Sequence, residues 1–302
     1  MSGGEGGRDT APVGGGAGEE GGVPGAAPRR WKQPQPGGEA GPVALGGEPP
    51  TRTGRDVRRL ARTGPLAGQT AGLAPGYLQA NLVVVPEAVA ADFLLFCRRN
   101  PRPCPLLEMT APGSPEPRET APGADLRTDL PRYRIYREGR LAEEPTDVLA
   151  WWRDDLVAFL LGCSFSFEEA MARAGLPLRH QEEARIVPMY RTSLPCQPAG
   201  PFRGPMVVSM RPLTPTQAEL ASEITGRYPL AHGAPVHAGD PAAIGIADLD
   251  LPDFGDQVTI AAGETPVFWA CGVTPQVALE AARLPLAITH APGHMFVTDL
   301  LA

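Results

Sequence analysis

Apolar positions along this chain come in short blocks separated by Gly, Pro and charged residues, and the spacing within each block predicts its element. Asn81-Leu-Val-Val-Val85 is a continuous apolar run closed by Pro86, which reads as a buried strand. Pro86 suits the first turn of a helix, and Glu87 to Arg99 predicts a helix that stops before Asn100-Pro101. A short helix is expected from Arg55 to Arg62, and a strand over Leu106–Met109. Tyr133-Arg-Ile-Tyr-Arg137 and Arg140-Leu141, joined through Glu138-Gly139, predict a hairpin. Thr146 is placed to cap a helix running to about Leu161, with Trp152, Leu156 and Phe159/Leu160 near helical spacing. Ser166 is placed to cap another that ends at Gly175. Ala111 to Pro131 is a Pro-rich connection, long enough for a functional loop or a wrapping segment.

The last hundred residues contain an internal repeat. One copy runs Met206–Arg211, then Thr214-Pro215 and a helical stretch to Arg227, then Pro229-Leu-Ala231 and His232-Gly-Ala-Pro-Val-His237. The other runs Val267–Cys271, then Thr274-Pro275 and a helix to Arg283, then Pro285-Leu-Ala287 and His290-Ala-Pro-Gly-His294. Each is a strand, a Thr-Pro-opened helix and a His-bearing turn. Repeated strand–helix units imply an α/β fold, a layered domain of helices on sheet.

Composition narrows the chemistry. Gly and Pro number 36 each among 302 residues, and they crowd the first 52, which are expected to form a disordered tail ahead of one domain over 53–302. Gly16-Ala-Gly18-Glu-Glu-Gly21 fits the dinucleotide pattern, but no strand precedes it and the match is read as chance. Lys32, in that tail, is the only lysine, so neither a Schiff base nor a P-loop can be built, and no cofactor is called for. The net charge of −7 argues against nucleic acid as a partner, and no apolar stretch is long enough to span a membrane. Five cysteines without a C-x-x-C, and a start without the features of a secretory signal, point to a reduced cytoplasm. Asp248, Asp250, Asp253 and Asp256 have Asp253 where a calcium loop needs Gly, and are read as a solvated loop. No metal site is expected.

Four of the five histidines fall in the two turns. His290, His294, His232 and His237 are the candidate acid/base residues, since imidazole titrates near neutral pH. A histidine in such a turn can equally serve by bonding neighbouring backbone. The helix starting at Thr274, with Gln276 in its first turn, presents N–H groups suited to a carboxylate. Arg191 could pair with a substrate carboxylate and Tyr190 donate to it, or Arg191 could form an ordinary salt bridge. Cys271 belongs to the same candidate site, although it and Cys163 fit packed cysteines better than nucleophiles. The ligand expected is a small carboxylate; homo-oligomerisation is left open.

Longer motifs carry a resemblance. Thr70–Asn81, Phe93–Pro101, Pro103–Glu108, Gly123–Tyr133, Trp152–Phe159, Gly162–Phe167, Val187–Thr192, His232–His237, Phe268–Gln276 and Ile288–Phe296 are similar to the bacterial hydro-lyase family, also called the D-glutamate cyclase family. The resemblance covers nearly everything after Thr53. It implies an α/β domain combined with a smaller α+β subdomain, placed here within about residues 110–204. It also implies a lyase that removes water, with cyclisation of D-glutamate to 5-oxo-D-proline as its candidate reaction and 5-oxoproline metabolism as its setting. The alternative is a non-catalytic protein that binds a small carboxylate. No site residues come from the resemblance. In the mitochondrial protein for which the family is named, a second domain accompanies this one.

Overall fold

The computed structural model describes residues 52–302 together with Met1 and Gly3. The Gly16–Gly21 pattern, Lys32 and nearly all of the expected tail lie outside the described residues. Two antiparallel sheets carry the α/β fold, with helices laid on their faces.

The first sheet is built around two strands buried on both faces, β1 (Tyr77–Pro86) and β5 (Leu156–Gly162). Its order is β2 (Leu106–Met109), β5, β1, β10 (Ala287–His290), β3 (Tyr133–Arg137) and β4 (Arg140–Glu143), and β11 (Phe296–Leu301) also pairs with β1. Side chains alternate across a strand. Val83, Val85, Phe159 and Leu161 therefore face one side, where α2 (Glu87–Arg99) supplies Phe93 and Phe96. The Phe93 ring meets Phe159 edge-on at 4.8 Å and Phe202 at 5.0 Å. Leu82, Val84, Ala158 and Leu160 face the opposite side, covered by Ala121, Ala124, Leu126 and Leu130. Ala111–Pro131 is thus a wrapping segment that seals the second face of the sheet.

The helix expected from Thr146 to Leu161 does not form. A single 3-10 turn spans Leu149–Trp151, and the apolar run from Leu156 becomes the central strand β5. Its residues are apolar without interruption, and cover on both faces favours a strand over a helix that would leave one side to water. The next helix, α3 (Phe165–Arg173), has Ser164 rather than Ser166 at its N-cap position. Ser166 Oγ instead accepts from the Gln79 amide at 2.9 Å. Gly175, with φ +76°, lies just past the helix end.

The second sheet runs β6 (Met189–Pro195), β7 (Pro205–Leu213), β9 (Thr265–Ala270) and β8 (His237–Ala238). The two repeat copies lie side by side here, β7 against β9, each followed by a helix: α5 (Pro215–Gly226) and α6 (Thr274–Ala282). They diverge afterwards. Pro285-Leu-Ala leads into β10, whereas Pro229–Ala231 is a 3-10 turn that leaves His232 in the left-handed region at φ +78°. Thr214 and Gln217 form a capping box at α5. Thr274 caps nothing: it is the first residue of α6, and its hydroxyl engages Val207 N at 2.9 Å and Val207 O at 3.3 Å. The short helix α4 (Arg179–Glu182) joins α3 to β6. No helix among the described residues is long and apolar enough to cross a membrane.

Candidate active site

A gap in the first sheet opens the site. On one edge of β1, β10 pairs with Val83 and Val84, and β11 pairs with Tyr77, Gln79 and Ala80. Asn81 and Leu82 fall between, where the loop 291–295 swings away. The cleft so formed is lined by Asn81 and His290 from the first sheet, by Pro292, Gly293 and Met295 from that loop, by Cys163, Ser164 and Phe165 at the start of α3, and by His232, Cys271, Gly272 and Val273. Val187 and Met189 complete it. Its cavity volume is about 20 Å³, room for about one water. Anything larger than a water molecule therefore enters only if lining side chains move.

Two glycines allow this convergence. A Cβ on Gly162 would stand 1.6 Å from the Leu230 carbonyl oxygen, so glycine there lets the turn bearing His232 press against β5. A Cβ on Gly272 would stand 2.0 Å from Asn81 Nδ2. That amide group, which donates to the carbonyls of Leu161 (3.2 Å) and Gly162 (2.8 Å), fills the space the missing side chain leaves.

The two cleft histidines are fully buried and differently held. His232 Nδ1 lies 2.7 Å from the Arg102 carbonyl. A carbonyl only accepts, so Nδ1 carries the proton and Nε2 keeps its lone pair. His290 Nδ1 lies 3.2 Å from Leu82 N and 3.3 Å from Leu82 O, in the place of a ladder partner. Its carbonyl accepts from Gln276 Nε2 at 3.3 Å and Thr289 Oγ1 at 2.9 Å. Burial pushes His232 down to about 4 and His290 down to about 3, so both imidazoles are neutral at physiological pH. Burial pushes the thiols the other way, Cys163 to about 12 and Cys271 to about 11.

The remaining expected residues sit elsewhere. Arg191 is on β6, paired with Glu280 at 2.8 Å, with its side chain 38% exposed. Tyr190 donates to the Leu249 carbonyl at 2.7 Å. His237 bonds the Asp240 carbonyl at 2.8 Å and stacks on Phe268. His294 adjoins the lining, but its Nδ1 bonds the Pro292 carbonyl at 2.9 Å. Gln276 accepts from Tyr136 Oη at 3.1 Å and Arg134 Nη1 at 3.4 Å, a bracing role behind His290. The acidic loop serves structure: Asp253 accepts from the Arg191 amide and Asp256 from the Ile186 amide, both at 2.8 Å. Among the described residues no group of three or more His, Cys, Asp or Glu could hold a metal ion.

Sequence reasoning passed over Asn81 and Gly272 as site residues, whereas the small polar residues of Gly162–Glu168, Ser164 among them, read as able to line a pocket. It also missed Arg211, a fully buried arginine directly behind Ser164. The available signal was Arg211's position at the end of the apolar run Met206–Arg211, where a solvated charge has no place.

The D-glutamate cyclase family pattern matches residues 157–299, a span holding every cleft residue except Asn81. A protein of Rubrobacter xylanophilus named "Putative hydro-lyase" is 63% identical over 244 residues, covering 81% of this chain and 94% of its own length. A protein of Bordetella petrii named "Putative hydro-lyase Bpet2233" is 62% identical over 253 residues, covering 84% of this chain and 96% of its own. The chain belongs to the D-glutamate cyclase family. Its class of chemistry is accordingly that of a lyase. Among solved structures, a nitrogen repressor-like protein from Methanococcus jannaschii overlays with a TM-score of 0.34 at 10% identity, covering 82% of this chain and 98% of that one, too slight a likeness to carry an argument.

Proposed function

We propose that this lyase removes water from a small carboxylic acid, cyclising D-glutamate to 5-oxo-D-proline, with His232 and His290 as its acid/base pair. The observation that carries this reading is the convergence of two buried imidazoles, from different elements, on one enclosed cleft. The α-amine attacks the γ-carboxyl carbon, a C–N bond forms, and one C–O bond breaks. The ammonium nitrogen gives up two protons, one before it attacks and one after the C–N bond forms. His232 Nε2, the nitrogen with a free lone pair, and the His290 imidazole each accept one and pass it to the departing carboxylate oxygen, which leaves as water. Substrate and product each carry one net negative charge, so the step balances.

Both imidazoles are neutral in the empty cleft, ready as bases and not as acids. A carboxylate desolvated beside them favours the imidazolium and raises its pKa. Substrate thus creates the acid that its own reaction needs. A thioester through Cys271 is disfavoured, because the thiol is held protonated and its attack on a carboxylate is uphill. Ring closure within one molecule gains most from positioning, which an enclosed cleft supplies.

The test is to incubate purified protein with D- and L-glutamate and follow 5-oxoproline by chiral chromatography. Stereoselective product is expected, and His232→Asn and His290→Gln are each expected to lower kcat/KM by about 10²- to 10⁴-fold. Absence of product from a folded protein whose Tm still rises with 5-oxo-D-proline would replace the enzyme reading with carboxylate binding.

A further inference from the structure

Ser164 occupies the N-cap position of α3, yet its side chain makes no capping hydrogen bond. Serine at that position ordinarily accepts from the first amides of the helix. Here the Phe167 amide goes to the Ser164 carbonyl at 3.1 Å, and the Ser164 hydroxyl turns elsewhere. Its Oγ accepts from Arg211 Nη2 at 3.2 Å. Its own proton meets no acceptor among the described residues, and the residue lines the cleft with His232, His290 and Asn81. A hydroxyl whose lone pair is held by a cation, with its proton unused at a cavity wall, is a preset donor to an anion.

Arg211 is held from several sides, although its Nε meets no partner among the described residues. Nη1 donates to Ser209 Oγ at 3.2 Å, Nη2 donates to Glu168, and the guanidinium lies 5.4 Å from the Phe167 ring centre and 5.3 Å from that of Trp269. Glu168 also accepts from Gln181 Nε2 at 2.6 Å and stands 3.2 Å from His180 Nε2. Burying these charged groups is costly, and apolar side chains of similar volume would serve packing better. The charge of Arg211 also reaches the cleft, where it lowers the pKa of His232 and of the Cys271 thiol.

We infer that Ser164 is the hydrogen-bond donor that receives a carboxylate of the substrate, and that Arg211, fixed by Glu168, is the positioning residue that presents it. The inference rests on the reading of the cleft as the substrate site. It assigns the carboxylate to the start of α3, backed by a buried arginine, rather than to Arg191 on the surface.

Calorimetric titration with 5-oxo-D-proline, paired with D-glutamate kinetics, tests it. Ser164→Ala removes a donor that caps nothing, so the fold is expected to survive. It should weaken 5-oxo-D-proline binding about 10- to 100-fold, and the loss in turnover should appear mainly in KM. Ser164→Thr, which keeps the hydroxyl, should restore most of the affinity. Arg211→Lys, which keeps the charge but loses the fork, should move affinity in the same direction while 5-oxo-D-prolinamide, lacking the charge, binds wild type and variants alike. Equal affinity of wild type and Ser164→Ala for 5-oxo-D-proline overturns the inference, and with turnover intact leaves the cyclase reading standing. Ser164-dependent binding without turnover sinks the cyclase reading and keeps the carboxylate site. Neither binding nor turnover by the wild type removes both.

Discussion

Two strand-to-helix turns wall the cleft, β5–Cys163–α3 and β9–Cys271–α6, and they start alike. In each, a cysteine follows the strand, and its carbonyl accepts from the amide of the residue three positions on, Ser166 at 3.1 Å in one and Thr274 at 3.0 Å in the other. They part at the residue after the cysteine. The first turn has Ser164, a hydroxyl tied to a buried guanidinium; the second has Gly272, an absence that admits Asn81 to hydrogen-bond strand β5. One turn brings polarity to the cleft and the other brings closeness. A shared backbone turn thus gives the cleft two different walls because one residue differs.

Filling the close approach should have the largest effect. Gly162→Ala drives a methyl into a backbone carbonyl, and is expected to cost about 3 kcal/mol or more. Gly272→Ala meets only the Asn81 side chain, so about 1–3 kcal/mol is expected, partly recovered in the double variant with Asn81→Ala. Urea unfolding of the three variants measures both. Equal costs for the two glycines, or no recovery in the double variant, would contradict the contrast between backbone and side-chain contact.

Acid should act next. His232 and His290 have folded pKa values of about 4 and about 3 against roughly 6.5 unfolded, so between these limits the unfolded chain binds more protons. Stability should therefore fall as pH drops below about 6.5 and stop falling on their account below about 3. Each contributes a few kcal/mol at most. Glu168, held at about 2 against a model-peptide value near 4.5, adds loss only below about pH 4.5. His232→Asn keeps a residue tolerant of positive φ and should flatten the unfolding free energy between pH 6.5 and 5, measured by urea titration at each pH. An unchanged slope there would show that His232 is not held neutral.

The smallest effect belongs to the arginine outside the contrast. Arg191 sits in a half-exposed pair with Glu280, so Arg191→Ala should change stability by about 0–1 kcal/mol and kcat/KM by less than about threefold. A loss comparable to that of Ser164→Ala would return Arg191 to the substrate.

Local signals read the scaffold well where one face or one turn decides. The strand ending at Val85, the helix after Pro86, the Tyr133 hairpin and both repeat helices all carry their own punctuation. The run from Leu156 to Leu161 fits either helical spacing or a buried strand, and only cover from α2 on one face and the wrapping segment on the other makes it β5. In the site, His232 and His290 stand out by chemistry alone. Arg211 is one of many arginines, and nothing near it in sequence names Glu168 or Ser164, which are 43 and 47 residues away.

By itself the sequence determined most of the elements, the family and the kinds of residue available for proton transfer, because helix and strand periods, turn residues and long motifs are written locally. Only the tertiary structure decided which histidines share a cleft, which arginine stands behind it and how strongly burial shifts their protons. Those depend on where distant segments meet and on how completely water is excluded there, and neither is a property of any short stretch of chain.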